Sequence, residues 1–222
     1  QLAINRTQDT QFVADLVERA QHLGFSSVNL DLIYGLPWQD EVTFSKTLSD
    51  IMLMKPERIS LFSYAHMPSR FAAQRKILDQ WLPNTDLKAA LLRQAIETLT
   101  ENGYVYIGMD HFALPKDELS KACSAGQLHR NFQGYTTQGD CDLLGLGLSS
   151  ISSINNIFSQ NKKDLMDYYA SLDEEVSPLE KGVILTNDDQ IRALVIKELM
   201  CNSKVRQARI EQQYNICFKD YF

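Results

Sequence analysis

Helical and extended spacings of apolar residues alternate along the first half of the chain. In TQFVADLVERAQHL (10–23), Phe12, Leu16, Ala20 and Leu23 fall on one helical stripe, and Gly24 supplies a stop. SSVNLDLIYGLP (26–37) has the length of a strand. Asp40 can cap a helix over 41–54 with Phe44, Leu48 and Ile51 on one face, closed by Pro56. RISLFSYAH (58–66) predicts a second strand. Asn84 or Thr85 caps the helix DLKAALLRQAIETLTEN, Gly103 ends it, and YVYIG (104–108) predicts a third strand. Strands alternating with helices through short connections predict an α/β fold with parallel β/α units. Ligands of such sheets gather where strands end. That rule points to LIYGLP, SYAHMP and GMDHFALP.

The second half changes character. KDELSKACSAG (116–126) reads as a helix. LHRNFQGYTTQGDCDLLGLG (128–147) fits neither period, since a strand would alternate and a helix would not tolerate Gly134 and Gly139 so close together. Glycines beside His129, Arg130, Asn131, Gln133 and Gln138 predict a chain wrapped closely around something polar. NKKDLMDYYASL (161–172) returns to helical spacing. Thr186 and Asp189 form a capping box for a helix over 187–202, with Ile191, Leu194, Val195 and Leu199 as its buried stripe. The tail ARIEQQYNICFKDYF also reads as helical, and a boundary is expected near residue 160.

Composition narrows the possibilities. The 222 residues are 44% hydrophobic and 23% charged, enough for one sizeable core or two smaller ones. A net charge of −6, with basic residues scattered, excludes an electrostatic footprint for nucleic acid or an anionic membrane. No apolar run reaches the length of a membrane span. Cys123, Cys141, Cys201 and Cys217 are far apart and form no CxxC pair, which argues against a zinc site or redox pair and for reduced cytoplasmic thiols. The chain begins at Gln1 and carries no signal-peptide pattern, so residues upstream are expected.

A few residues are out of place for packing alone. Asp31 shares a strand face with Asn29 and Ile33. It requires a donor, either on a neighbouring strand or loop, or on a ligand such as a ribose hydroxyl or ammonium group. Arg6, just before the first helix, reads by itself as a solvated side chain. After the second strand, Ala65 lets a ligand approach the backbone, while His66 reads as a structural histidine. Asp110 beside His111 could orient an imidazole or bind a carboxylate through it, or could instead cap the helix after Pro115. GLGLSS (145–150) lacks the lysine and spacing of a phosphate loop.

VNLDLIYGLPWQ, SYAHMPSRFAAQRKI, YIGMDHFALPKDEL and above all LHRNFQGYTTQGDCDLLGLGLSSIS resemble the oxygen-independent coproporphyrinogen III oxidases, radical S-adenosylmethionine enzymes of haem biosynthesis. The resemblance covers nearly the whole chain. It implies the last β/α units of a partial TIM-like barrel (1–114), a segment completing the barrel region and lining the active site (115–160), and a mostly helical C-terminal domain (161–222) cut short after Phe222. It also implies two S-adenosylmethionine molecules and a [4Fe-4S] cluster held by a CxxxCxxC motif. A 5′-deoxyadenosyl radical then converts two propionates of coproporphyrinogen III to vinyl groups, with an external electron donor. The cysteine motif is absent here, so the chain alone is expected to be inactive and the full-length protein a cytoplasmic monomer.

The resemblance also assigns residues. Arg6, Asp31 and the backbone at Ala65 match positions lining S-adenosylmethionine, and Ile151 matches one near the second molecule. Phe132 and Gln133 match active-site positions. His129 and Arg130 are candidates for substrate propionates, because arginine suits carboxylates geometrically; an ion pair of Arg130 with an acidic neighbour such as Asp140 is the alternative. Asp110 and His111 are weaker candidates for a pyrrole N–H or a propionate. Two rivals remain. One is a haem-binding, chaperone-like relative on the same barrel, whose corresponding segment is similar to a cysteine-HN-tyrosine-tryptophan pattern. The other is a non-catalytic binding module.

Overall fold

The computed structural model describes residues 4–139 and 141–222. The chain divides into two compact units, Gln1–Ser124 and Ala125–Phe222. The first contains α1 (Thr10–His22), β1 (Asn29–Tyr34), α2 (Glu41–Met54), β2 (Arg58–Ser63), α3 (Thr85–Glu101), β3 (Val105–Gly108), β4 (His111–Ala113) and α4 (Glu118–Ser124). The second contains β5 (His129–Asn131), β6 (Gly134–Thr136), β7 (Ile151–Ile154), β8 (Ile157–Asn161), α5 (Leu165–Asp173), β9 (Leu179–Ile184), α6 (Asn187–Asn202), α7 (Gln207–Tyr214) and α8 (Phe218–Tyr221). Helices and strands are thus mixed throughout.

In the first unit β1 and β2 run parallel, Asn29 opposite Arg58 and Tyr34 opposite Ser63, as the alternating pattern requires. Asp40 accepts from the Thr43 N–H at 2.8 Å and closes a capping box, which starts α2 where the sequence predicts it. Phe44, Leu48 and Ile51 then bury against Leu32, Ile59, Leu61, Leu91, Leu99 and Phe112.

Two expectations fail here. The sheet order is β1-β2-β4-β3, with β4 antiparallel to both neighbours, so the sheet is mixed. GMDHFALP is therefore no open connector: Met109 and Asp110, at φ 40° and 70°, make a two-residue turn, and His111 enters a strand. On α1 the predicted stripe is exposed, with Phe12, Leu16 and Leu23 between 57% and 69% accessible. Val17 is buried instead, with Val13 and Ala20 half-buried on its side of the helix, which meets α2. Periodicity identified the helix but not which apolar side the neighbouring helix covers.

The second unit begins with strands, and its helices follow after residue 161. Residues 129–136 form an antiparallel ribbon, His129 opposite Thr136 and Arg130 opposite Tyr135, where the sequence predicts no strand. β7, β8 and β9 form a three-stranded antiparallel sheet. Asn155 (φ 54°) and Asn156 make the tight turn between Ile154 and Ile157, a hairpin signal present in the sequence. Thr186 caps α6 in the predicted capping box. The buried side of α6 is Ile191, Glu198 and Cys201, whereas Leu199 is exposed. Tyr135 donates to the Met200 carbonyl at 3.0 Å and holds the ribbon on α6.

Candidate functional site

In the first unit, Arg6 and Asp31 line one cavity of about 380 Å³, with Gln8, Asn29, Thr47 and Asp50 among the other walls. The cavity lies along β1, whose other side chains, Leu32 and Tyr34, turn into the core; strand alternation is what leaves Asp31 outward. Asn29 Nδ2 donates to Asp31 Oδ1 at 2.7 Å, and Ser60 Oγ donates to Asn29 Oδ1 at 3.1 Å, so a short relay from β2 orients the carboxylate. Asp31 itself is exposed. A guanidinium and an oriented carboxylate in one polar cavity can receive a zwitterionic ligand with hydroxyls.

The remaining candidates of this unit lie past or beside strand ends. Ala65 is exposed just after β2, and its carbonyl accepts from Gln74 Nε2 at 3.0 Å. His66 is structural, its ring near Tyr64 Oη at 3.5 Å and Asp79 Oδ1 at 3.3 Å. The Asp110 carbonyl accepts from the Leu61 N–H at 2.7 Å. His111 meets the Met109 carbonyl through Nδ1 at 2.8 Å and lies edge-on to Phe62. The proposed capping role of Asp110 is not observed. The aspartate at the start of α4 is Asp117, immediately before the helix, which accepts from Leu119 N–H at 2.8 Å and from Arg58 Nε at 2.9 Å.

In the second unit the ribbon places its side chains around two cavities. Asn131 Oδ1 accepts from the Gln133 N–H at 2.9 Å, and this local turn puts Phe132 and Gln133 at the exposed tip between β5 and β6. Phe132 stands edge-on to Phe158 of β8, centroids 5.2 Å apart. One cavity, about 360 Å³, brings Phe132 together with Ile151, Phe158 and Lys181. The other, about 810 Å³, is lined by Arg130, Phe132, Gln133, Leu143, Lys197 and Met200 among others, within the size range of organic-ligand sites. Gly145 makes room beside them, for a Cβ there would fall 2.7 Å from the Ile151 carbonyl oxygen.

Arg130 is fixed by stacking. Its guanidinium lies 4.8 Å over the Tyr135 ring, and its Nη1 is buried without a hydrogen-bond partner among the described residues. The alternative partner raised from the sequence, Asp140, lies outside the described residues. His129 faces a different, smaller cavity of about 190 Å³, shared with Glu198, Arg206 and Arg209. His129 and Arg130 are thus not brought to one cavity, because consecutive residues of a strand point to opposite sides. Lys197 was missed from the sequence. On α6, Ala193, Ile196, Lys197 and Met200 follow the i, i+3, i+4, i+7 rule and share the large cavity, a second helical stripe that the apolar pattern alone concealed.

No family model matches the chain. It is 51% identical over 222 residues to the oxygen-independent coproporphyrinogen III oxidase of Escherichia coli K12, covering 100% of this chain and 49% of that protein. It is 40% identical over 222 residues to that of Helicobacter pylori 26695, covering 100% of this chain and 49% of that protein. The solved structure of coproporphyrinogen III oxidase from Escherichia coli, described as a radical SAM enzyme, superposes with a TM-score of 0.96 at 51% identity, over 100% of this chain and 51% of that one. The chain therefore spans about half the length of these relatives. Of the oxidase from Thermostichus vulcanus it spans 69%, at 41% identity over 223 residues. On the strength of that coverage and identity, the chain belongs to the oxygen-independent coproporphyrinogen III oxidase family.

Proposed function

We propose that this chain forms the substrate-side half of an oxygen-independent coproporphyrinogen III dehydrogenase. In this reading the first unit is the last part of a radical S-adenosylmethionine barrel, and residues 115–160 complete the barrel region and line the active site. Residues 161–222 belong to the C-terminal domain. The observation that supports the reading best is the large cavity of the second unit: Phe132 and Gln133 share its lining with Arg130, whose buried guanidinium nitrogen has no hydrogen-bond partner among the described residues, a combination that suits an apolar macrocycle bearing carboxylates.

The cofactors divide by fit. Among the described residues no three His, Cys, Asp or Glu side chains are grouped to hold a metal, so these residues do not fit a [4Fe-4S] cluster. The Arg6–Asp31 cavity does fit S-adenosylmethionine: Arg6 would pair with the methionine carboxylate and Asp31 with hydroxyl or ammonium hydrogens. Ala65 is proposed as a further S-adenosylmethionine contact, and Ile151, separately in the second unit, as a contact of a second molecule. When bound, S-adenosylmethionine supplies hydrogen-atom abstraction from a propionate β-carbon, after which carbon dioxide leaves and a vinyl group remains. The residues of this chain bind and orient: Phe132 shields the reacting propionate from water, Gln133 offers it an amide donor, and Arg130 attracts carboxylate. Asp110 and His111 are assigned a lesser role toward a pyrrole N–H or a propionate, and His129, which faces the smaller cavity, is not assigned to the tetrapyrrole cavity. An external electron donor would supply the electron that cleaves S-adenosylmethionine, and a separate one-electron acceptor would take the electron released when the propionate radical loses carbon dioxide.

The test uses the complete protein with its cluster reconstituted without oxygen. Coproporphyrinogen III, S-adenosylmethionine and a reductant are supplied, and protoporphyrin fluorescence is followed after oxidation, with Gln133→Ala alongside. Product from the parent and a large loss in the variant support the reading. No product from a protein with an intact cluster, together with tight haem binding, would transfer it to the haem-binding relatives.

A further inference from the structure

The large cavity of the second unit is lined by two cations, Arg130 and Lys197, and among the described residues by a single carboxylate. The Arg130 Nη1 is buried and unpartnered, and Lys197 is half-buried with no ion pair or hydrogen bond from its ammonium among the described residues. The acidic member of the lining among the described residues is Asp142, an exposed side chain whose Oδ1 already accepts from the Asn155 N–H at 2.8 Å. Glu198, next to Lys197 in sequence, lines the smaller cavity, which Lys197 also borders, and is engaged there by Arg206 Nη2 at 2.9 Å and Arg209 Nη1 at 3.5 Å. Leaving a buried guanidinium nitrogen without a partner is costly, so a cavity that sets it near a second cation is suited to receiving an anion.

Arg130 is also held in place before any ligand arrives. Tyr135 stacks under the Arg130 guanidinium at 4.8 Å, and its hydroxyl donates at 3.0 Å to the carbonyl of Met200, one helical turn beyond Lys197. One aromatic ring thereby ties β5 to the part of α6 that presents Lys197. Leu143, Ile196 and Met200 are apolar members of the same lining, and a charge-assisted contact strengthens beside apolar surroundings.

We propose that Arg130 and Lys197 form a two-cation clamp for a propionate that the reaction leaves intact. The inference rests on the tetrapyrrole reading above and adds to it a residue and a choice of propionate. The choice follows from the energetics of catalysis. Two cations fixed on a carboxylate stabilise it as a ground state, which slows the loss of that carboxylate as carbon dioxide. A clamp of this kind serves a propionate that persists from substrate to product and fixes the macrocycle while another propionate reacts.

The experiment titrates the complete protein with coproporphyrin III, its tetramethyl ester and protoporphyrin IX, following porphyrin absorbance. The parent, Lys197→Met, Arg130→Met and Lys197→Arg are compared, with thermal midpoints as the folding control. The parent should bind both free acids at least about tenfold more tightly than the ester. Each Met variant should lose about tenfold or more for both acids and little for the ester, while Lys197→Arg keeps most of the affinity. A parent that binds acid and ester alike would overturn the tetrapyrrole-carboxylate reading itself. A parent that discriminates, with Met variants that discriminate equally well, would overturn the clamp alone. Weakened binding of coproporphyrin III with unchanged binding of protoporphyrin IX would overturn the assignment to a retained propionate.

Discussion

The His129 imidazole lies in the space that a Cβ at position 139 would need, so Gly139 and His129 fit only because residue 139 has no side chain. Contact of this kind fixes the return of the chain after β6 against the start of β5. Gly139→Ala should therefore displace the ring or the returning chain and cost about 1–3 kcal/mol, the usual range for overpacking. Urea unfolding of the complete protein checks this, and a His129→Ala, Gly139→Ala double variant should recover part of the loss by making room. An alanine variant as stable as the parent would show that the ring moves aside freely.

Glu198 is 2% exposed on α6 and acts as a structural anion. Its carboxylate accepts from the Arg206 backbone N–H at 2.6 Å and from Arg206 Nε at 3.0 Å, pinning the turn between α6 and α7. Because the partner arginines are more than half exposed, the backbone contact dominates the energetics. Glu198→Gln should cost about 1–3 kcal/mol, the penalty of weakening a buried charge-assisted bond. Arg206→Ala should cost less, since its backbone N–H keeps the carboxylate. The reverse ranking in chemical denaturation would assign the stability to the side-chain ion pairs.

Tyr104 gives the first unit a dependence on alkaline pH. The side chain is 5% exposed and its hydroxyl donates to the Pro56 carbonyl at 2.6 Å. Burial, and secondarily the Glu57 carboxylate, push its pKa up to about 12 from 10.0. The folded state therefore holds this proton more tightly than the unfolded state. The resulting stability is fully present below about pH 10 and is lost as pH rises towards 12, of order 2 kcal/mol in all. Tyr104→Phe should flatten that part of the stability-versus-pH curve. A parent-like slope in the variant would assign the effect to other groups.

Asp31 and Arg6 share a cavity, so each should contribute to S-adenosylmethionine affinity without supporting the fold. In the complete protein, Asp31→Asn should raise the Kd about tenfold or more, in keeping with loss of a charge-assisted contact. Isothermal titration with S-adenosylmethionine measures it directly. Thermal midpoints should change little, because Asp31 is exposed and its protein partner is the neighbouring Asn29. Unchanged affinity in both Asp31→Asn and Arg6→Ala would remove this cavity from the cofactor site.

Local chemistry alone determined much of this protein. The Asp40 and Thr186 caps, the Phe44–Leu48–Ile51 stripe and the alternation that turns Asp31 outward depend on residues within a few positions of one another, and the sequence displays them. The motif around Phe132 and Gln133 was also legible, through its likeness to a family. Tertiary structure alone decided what covers each element. Val17 is buried and Leu16 is not because α2 meets one side of α1. His111 became a strand residue because the space between β2 and β3 needed hydrogen-bonding partners on both sides. Arg130 and Lys197, 67 positions apart, share a cavity because Tyr135 ties their elements together. Such pairings depend on long-range packing, where hydrophobic burial is non-directional and many partners satisfy one periodic pattern, so only the folded chain selects among them.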